Sequence, residues 1–74
     1  MNQRHLITMA NQIAVFFETM PDRRQALNDF ALHIKRSWEP RMRRELLEYV
    51  EKEGGTDLNE TAREGIRLHA DVIR

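Results

Sequence analysis

Residues 37–44 read Ser-Trp-Glu-Pro-Arg-Met-Arg-Arg, and this stretch separates two amphipathic segments. A residue that precedes proline is disfavoured in the α region, so Glu39 is expected to interrupt a helix. Pro40 suits the first position of the next helix, where its missing N–H would have no partner. The stretch therefore predicts a sharp junction between a helix ending near Trp38 and a helix beginning at Pro40.

Apolar residues recur at spacings of three and four on both sides of this junction, which is the pattern of amphipathic helices. The stripe before it contains Leu27, Phe30, Ala31, Ile34 and Trp38, and the stripe after it contains Met42, Leu46, Tyr49 and Val50. Nearer the start, a further stripe contains Leu6, Met9, Ile13, Phe16, Phe17 and Met20. A weaker fourth stripe contains Leu58, Ala62, Ile66, His69, Val72 and Ile73.

Residues typical of helix ends separate the four stripes. Pro21 should stop the first helix, and Asp22, three residues before Gln25, is typical of a capping box that opens the second. Gly54 and Gly55 should end the third helix, since glycine is common just beyond a helix C-terminus.

The sequence predicts an all-α fold, a small bundle of three to four short antiparallel helices in one domain spanning residues 1–74. Alternation with a period of two, which would indicate strands, is absent. The fourth helix should begin at Asp57, which stands three residues before Glu60. The expected helices lie near residues 3–20, 22–38, 40–53 and 57–73.

Length and composition exclude several classes of protein. A chain of 74 residues without cysteine has no disulfide framework, no thiolate metal site and no thiol nucleophile. Its apolar runs are shorter than the roughly 18 residues of a membrane span. Residues 1–5 lead into an amphipathic segment rather than a signal sequence.

The residues suited to catalysis or metal binding are scattered. The three histidines fall on three different predicted helices: His5, His33 and His69. Glu45, Glu48 and Glu51 recur along one helix face, where exposure to solvent explains them. Gly54 and Gly55 precede an acidic stretch, the wrong environment for a phosphate. We expect no catalytic, cofactor-binding or metal-binding residue, and hence no enzyme activity of the chain's own.

The charges sum to zero but are distributed unevenly. Residues 1–44 carry a net charge of +4 and residues 45–74 a net charge of −4. The third helix has its cations in the first turn and its anions towards the end, namely Arg41, Arg43, Arg44, Glu48, Glu51 and Glu53. Each charge placed against the helix dipole costs about 0.3–1 kcal/mol. Pairs four residues apart, Arg41–Glu45 and Arg44–Glu48, should relieve part of this cost.

A local rule broken in this way often marks a functional surface, so we expect this turn to bind a partner. Arg43, beside the apolar stripe, is the best single candidate for pairing with a carboxylate or phosphate. Trp38 should pack across the bundle or anchor an interface. The candidate partner-binding residues are Phe16, Phe17, Arg36, Trp38, Pro40, Arg41, Met42, Arg43 and Arg44. Gly65 either allows a close helix approach or is a tolerated helix-weakening residue.

Several blocks resemble the delta subunits of NAD-dependent, molybdenum-containing formate dehydrogenases. They are the Trp-Glu-Pro-Arg-Met-Arg-Arg string at 38–44, residues 6–13, Phe17-Glu18, and the Met20-Pro21-Asp22 turn. The order and spacing of these blocks match from about His5 to Gly55, whereas the fourth segment matches less distinctively.

The resemblance implies a cytoplasmic accessory subunit that binds no redox centre and supports assembly and stability of the complex. Its partner would be the large (alpha) subunit, which holds the molybdenum cofactor. The absence of cysteine agrees with this, since iron–sulfur clusters need thiolates. Two alternatives remain: a helical nucleic-acid-binding module using the cluster from Lys35 to Arg44, and a homodimer of the isolated chain. Zero net charge argues against the first.

Overall fold

The junction at Glu39-Pro40 is present in the structure, a computed structural model that describes residues 2–74, so the first residue of the predicted domain lies outside the description. Five helices follow one another: α1 (Gln3–Phe17), α2 (Arg23–Ser37), α3 (Pro40–Glu53), α4 (Glu60–Leu68) and α5 (Ala70–Ile73). No strand occurs between residues 2 and 74. The prediction of a small all-α bundle is therefore confirmed.

Side chains cap the first two helices. Asn2 accepts a hydrogen bond from the backbone N–H of His5 at the start of α1. Asp22 accepts one from the backbone N–H of Gln25 at 3.2 Å, as the capping pattern predicted. The side chain of Gln25, however, donates to Asp29 at 2.9 Å. The reciprocal half of the predicted capping box is thus replaced by a bond along the helix.

The residues predicted to begin and end α3 do so in the structure. Pro40 occupies the first position of α3, and the preceding Glu39 makes no side-chain capping bond. The helix ends at Gly54, whose φ of 79° lies in the left-handed region that glycine adopts without strain. The first helix, in contrast, ends at Phe17 rather than near residue 20.

The fourth predicted helix differs from the observed one at both ends. Its N-cap is Asn59, which accepts a hydrogen bond from the backbone N–H of Ala62 at 2.9 Å, and not Asp57. The segment is also divided at His69, whose backbone leaves the helical region (φ −118°, ψ 32°). The continuous helix expected over residues 57–73 is therefore two helices, α4 and α5.

All four apolar stripes contribute to one core. Helix α2 contacts α1, α4 and α5, while α1 contacts α2, α3 and α4. The large side chains at the centre are almost fully buried: Leu6, Phe30, Ile34, Leu46, Ile66 and Ile73. A hydrogen bond of 3.4 Å between Gln3 and Glu53 places the start of α1 beside the end of α3, as expected for antiparallel neighbours.

Gly65 marks the closest approach of α4 to α2. A Cβ atom at this position would lie 2.6 Å from Cδ2 of Phe30, a distance shorter than Cβ atoms show to their neighbours in protein structures. The Phe30 ring is completely buried and has no free space to turn into. Of the two interpretations of Gly65, the structure supports the close helix approach.

We expect Gly65→Ala to lower the free energy of unfolding by about 1–3 kcal/mol, because the added methyl group overpacks the core. In an unobstructed helix the same change would raise stability by up to about 1 kcal/mol. Urea unfolding followed by circular dichroism measures the effect. In a Phe30→Leu background, which removes the obstructing ring atoms, the loss caused by Gly65→Ala should shrink. An equal loss in both backgrounds would contradict this explanation.

Candidate partner-binding surfaces

The end of α1 presents apolar side chains to solvent. Phe16 is 69% exposed and Val15 is 53% exposed, although both lie in a helix that packs on three others. The ring of Phe16 meets that of Phe17 edge to face, with centroids 5.0 Å apart. The Phe17 ring in turn lies 5.7 Å from the imidazole of His33 on α2. A continuous row of rings therefore runs from α1 to α2.

This row opens into a groove of about 370 Å³ between α1 and α2. The groove is lined by Phe17, Asp29, Leu32, His33, Arg36 and Ser37. We call Val15, Phe16 and these lining residues the aromatic surface. It combines apolar side chains with the half-buried carboxylate of Asp29 and the exposed cation of Arg36, a mixture found at protein–protein contacts.

A second groove, of about 300 Å³, lies along the outer side of α3. It is lined by Pro40, Arg44, Leu47, Glu48, Glu51 and Arg74, and we call it the α3 groove. Its charges are unpaired, because the ion pair found within 4 Å among residues 2–74 is Arg23–Glu64. The predicted pairs Arg41–Glu45 and Arg44–Glu48 are therefore not formed. Among residues 2–74, the reversed charges of α3 gain no close ion pair.

Arg43 does not have the expected exposed position. Its side chain is only 8% exposed, and Nη1 donates to the backbone carbonyls of Ile73 at 2.8 Å and Arg74 at 3.3 Å. These carbonyls lie at the C-terminal end of α5, where a cation is favourable and where backbone acceptors lack helical partners. Arg43 thus holds α5 against α3, which explains a cation that is misplaced with respect to its own helix.

The structure separates the other predicted residues into groups. Trp38 is 5% exposed and belongs to the core, so the structure supports its packing across the bundle, while its role in binding a partner stays a prediction. Met42 is half-buried and packs against the same core. Phe16, Phe17 and Arg36 belong to the aromatic surface. Pro40 and Arg44 line the α3 groove, and Arg41, which follows Pro40 in the sequence, is exposed.

Sequence reasoning missed the residues that fix the connection between α3 and α4. The Asn11 side chain accepts from the backbone N–H of Asn59 at 2.8 Å and donates to the carbonyl of Asp57 at 3.1 Å. The backbone N–H of Asp57 donates to the hydroxyl of Tyr49 at 2.9 Å. These bonds join residues far apart in the chain, and no local spacing predicts them.

Two further observations concern residues 2–74. No three His, Asp or Glu side chains in this range converge as a set of metal ligands would. None of the helices in this range has the length and apolarity required to cross a bilayer.

The family model described as NADH-dependent formate dehydrogenase delta subunit FdsD matches residues 5–66 of the chain. The match covers most of α1, all of α2 and α3 and most of α4, so it extends beyond Gly55, where the recognisable blocks of sequence end. No curated protein and no solved structure matches the chain significantly.

We expect Arg43→Ala to lower the free energy of unfolding by about 1.5–3 kcal/mol, the range for hydrogen bonds to charged groups, because two carbonyls lose their partner. The matched control is Arg44→Ala, an exposed neighbour whose loss should change stability by less than about 0.5 kcal/mol. Urea unfolding compares the two variants. Equal stabilities would show that the Arg43 bonds contribute nothing.

Proposed function

Because the chain belongs to the NADH-dependent formate dehydrogenase delta subunit family FdsD, we propose that it is a non-catalytic accessory subunit docking on the large, molybdenum-binding subunit of that complex. The complex would be cytoplasmic. In this proposal the chain carries no cofactor and no catalytic residue of its own. The absence of cysteine supports this, since the iron–sulfur clusters of such a complex need thiolate ligands from other subunits.

The observation that carries the proposal is the exposure of Phe16. An aromatic side chain that is 69% exposed on a folded helix leaves apolar area in water, and burial against a partner would recover it. The Phe17 ring, which itself packs beside His33, meets the Phe16 ring edge to face, so the Phe16 ring is partly ordered before binding. Aromatic residues held in this way often dominate the binding energy of an interface.

Arg36 gives the surface its charge preference. It lines the same groove as Phe17 and is exposed, so its guanidinium is available to a carboxylate of the large subunit. Such pairs can form two parallel hydrogen bonds, which fix orientation as well as adding affinity. The expected contact on the large subunit is therefore an apolar pocket with an acidic residue at its edge.

Docking would support the complex by mass action. A subunit that binds only the folded or cofactor-loaded form of its partner stabilises that form by an amount that grows with its concentration. A core of 74 residues itself supplies only a few kcal/mol of stability, so the large subunit would stabilise this chain in return. Assembly and cofactor loading then depend on the same contact.

We expect Phe16→Ser to reduce recovery of the large subunit at least tenfold when the tagged chain is co-purified with it, and Arg36→Glu to reduce it similarly. The control is Leu68→Ser on α4, which removes an apolar side chain of comparable exposure, 60%, outside the aromatic surface. This variant should retain full recovery. Formate oxidation and molybdenum content of the purified complex provide independent readouts.

The opposite pattern would refute the assigned surface. If Phe16→Ser retains the large subunit while Leu68→Ser loses it, docking uses the outer side of α4. If no variant of the chain, and not even its deletion, changes recovery of an active and molybdenum-loaded large subunit, the accessory function itself fails.

A further inference from the structure

The α3 groove carries charges arranged along one line. Arg44, Leu47, Glu48 and Glu51 recur at spacings of three and four and so share one side of α3. Arg74 lies at the Arg44 end, because its backbone carbonyl accepts a hydrogen bond from neighbouring Arg43. The groove thus has two cations at one end, two anions towards the other, and a half-buried leucine between them.

This pattern is complementary to itself. A rotation of 180° about an axis through Leu47, perpendicular to α3, exchanges the basic and acidic ends. Seven residues of α-helix separate Arg44 from Glu51, which is about 10 Å along the axis. Two antiparallel copies of α3 would therefore place each Arg44 opposite a Glu51, with both leucines at the centre.

We propose that two copies of this chain associate through the α3 groove, with the two α3 helices antiparallel about a two-fold axis near Leu47. A two-fold contact uses the same patch on both subunits, and this patch has the self-complementary charge pattern that such a contact requires. A partner with a net charge would satisfy one end of the groove and leave the other unpaired. A second copy satisfies both ends at once.

The charges of the isolated chain support this occupant. Arg44 and the two glutamates lie against the dipole of their own helix and form no ion pair within 4 Å among residues 2–74. The dimer pairs Arg44 of each copy with Glu51 of the other, so the order of these two charges, which is unfavourable in one chain, becomes favourable in two. The contact contains one central apolar residue per copy and several exposed charges, and should therefore be weak and sensitive to salt.

The test uses sedimentation equilibrium of the full chain at low ionic strength. We expect a concentration-dependent dimer whose dissociation constant rises at least tenfold in Arg44→Glu and in Glu51→Arg. An equimolar mixture of these two variants should regain a dimer at least as tight as that of the unchanged chain. In the mixture, each end of one groove again faces the opposite charge.

Loss of folding would not mimic this result. Arg44→Glu places an anion in the first turn of α3 and Glu51→Arg a cation in the last, so both should keep or raise the thermal midpoint measured by circular dichroism. Arg24→Glu makes the same charge change in the first turn of α2, outside the groove, and should leave the dimer intact. Misfolded variants, moreover, would not recover association on mixing.

Three results would overturn the proposal: a chain that is monomeric at all concentrations, a dimer unaffected by Arg44→Glu, or a mixture that fails to regain association. The proposed docking on the large subunit is separable from it, since the aromatic surface shares no residue with the α3 groove. Arg44→Glu should therefore retain the large subunit on co-purification. If it loses that subunit and the unchanged chain is monomeric, the groove binds the large subunit and not a second copy.

Discussion

The packing of Phe30 against Gly65 is the constraint on which the rest of the bundle depends. A chain of this length has little apolar surface to bury, and Phe30, its largest fully buried side chain, must be covered on all sides. Full coverage requires α4 to approach α2 more closely than a Cβ atom would permit. Glycine costs α4 about 1 kcal/mol in helix propensity, whereas burial of a phenylalanine contributes about 1.5–3 kcal/mol. The free energy gained by burying the Phe30 side chain therefore exceeds the helix propensity lost at Gly65.

The position of Arg43 in α3 reflects a similar competition, between the unfavourable dipole of its own helix and favourable bonds to another helix. Arg43 is unfavourable near the start of its own helix but favourable at the end of α5, where it is buried and bonded to Ile73. The tertiary term dominates at this position, since hydrogen bonds to charged groups contribute more than an exposed dipole interaction. No such partner among residues 2–74 explains Arg44, which remains exposed. The bond to α5 therefore explains the position of Arg43 but not that of the neighbouring Arg44.

Much of the fold is predictable from the sequence, because helices and core are both expressed as local spacing. Pro40 specifies the start of α3 and Gly54 its end, and the apolar stripes specify the buried faces of the helices. None of these signals depends on the rest of the chain. The start of α4 is different. Asp57 and Asn59 are both suitable caps, and the choice of Asn59 accompanies hydrogen bonds that Asn59 donates to Asn11, forty-eight positions earlier. Bonds over such distances leave no periodic signal.

The candidate site was predictable in composition but not in arrangement. The sequence suggested Trp38, Arg43 and Phe16 as partner-binding residues, and all three are residue types enriched at interfaces. In the folded chain Trp38 is buried in the core and Arg43 is buried against α5, whereas Phe16 is exposed. Residue type cannot distinguish these outcomes, since the aromatic and guanidinium groups that stabilise an interface also stabilise a small core.

Separation of the two surfaces has a functional consequence. The aromatic surface is formed by α1 and α2, whereas the α3 groove is formed by α3 and the end of the chain's described part, and Trp38 is buried at the junction between them. Because no residue is shared, occupation of one surface does not sterically require vacancy of the other. The proposed docking on the large subunit and the proposed contact with a second copy therefore use different helices and do not compete for the same residues.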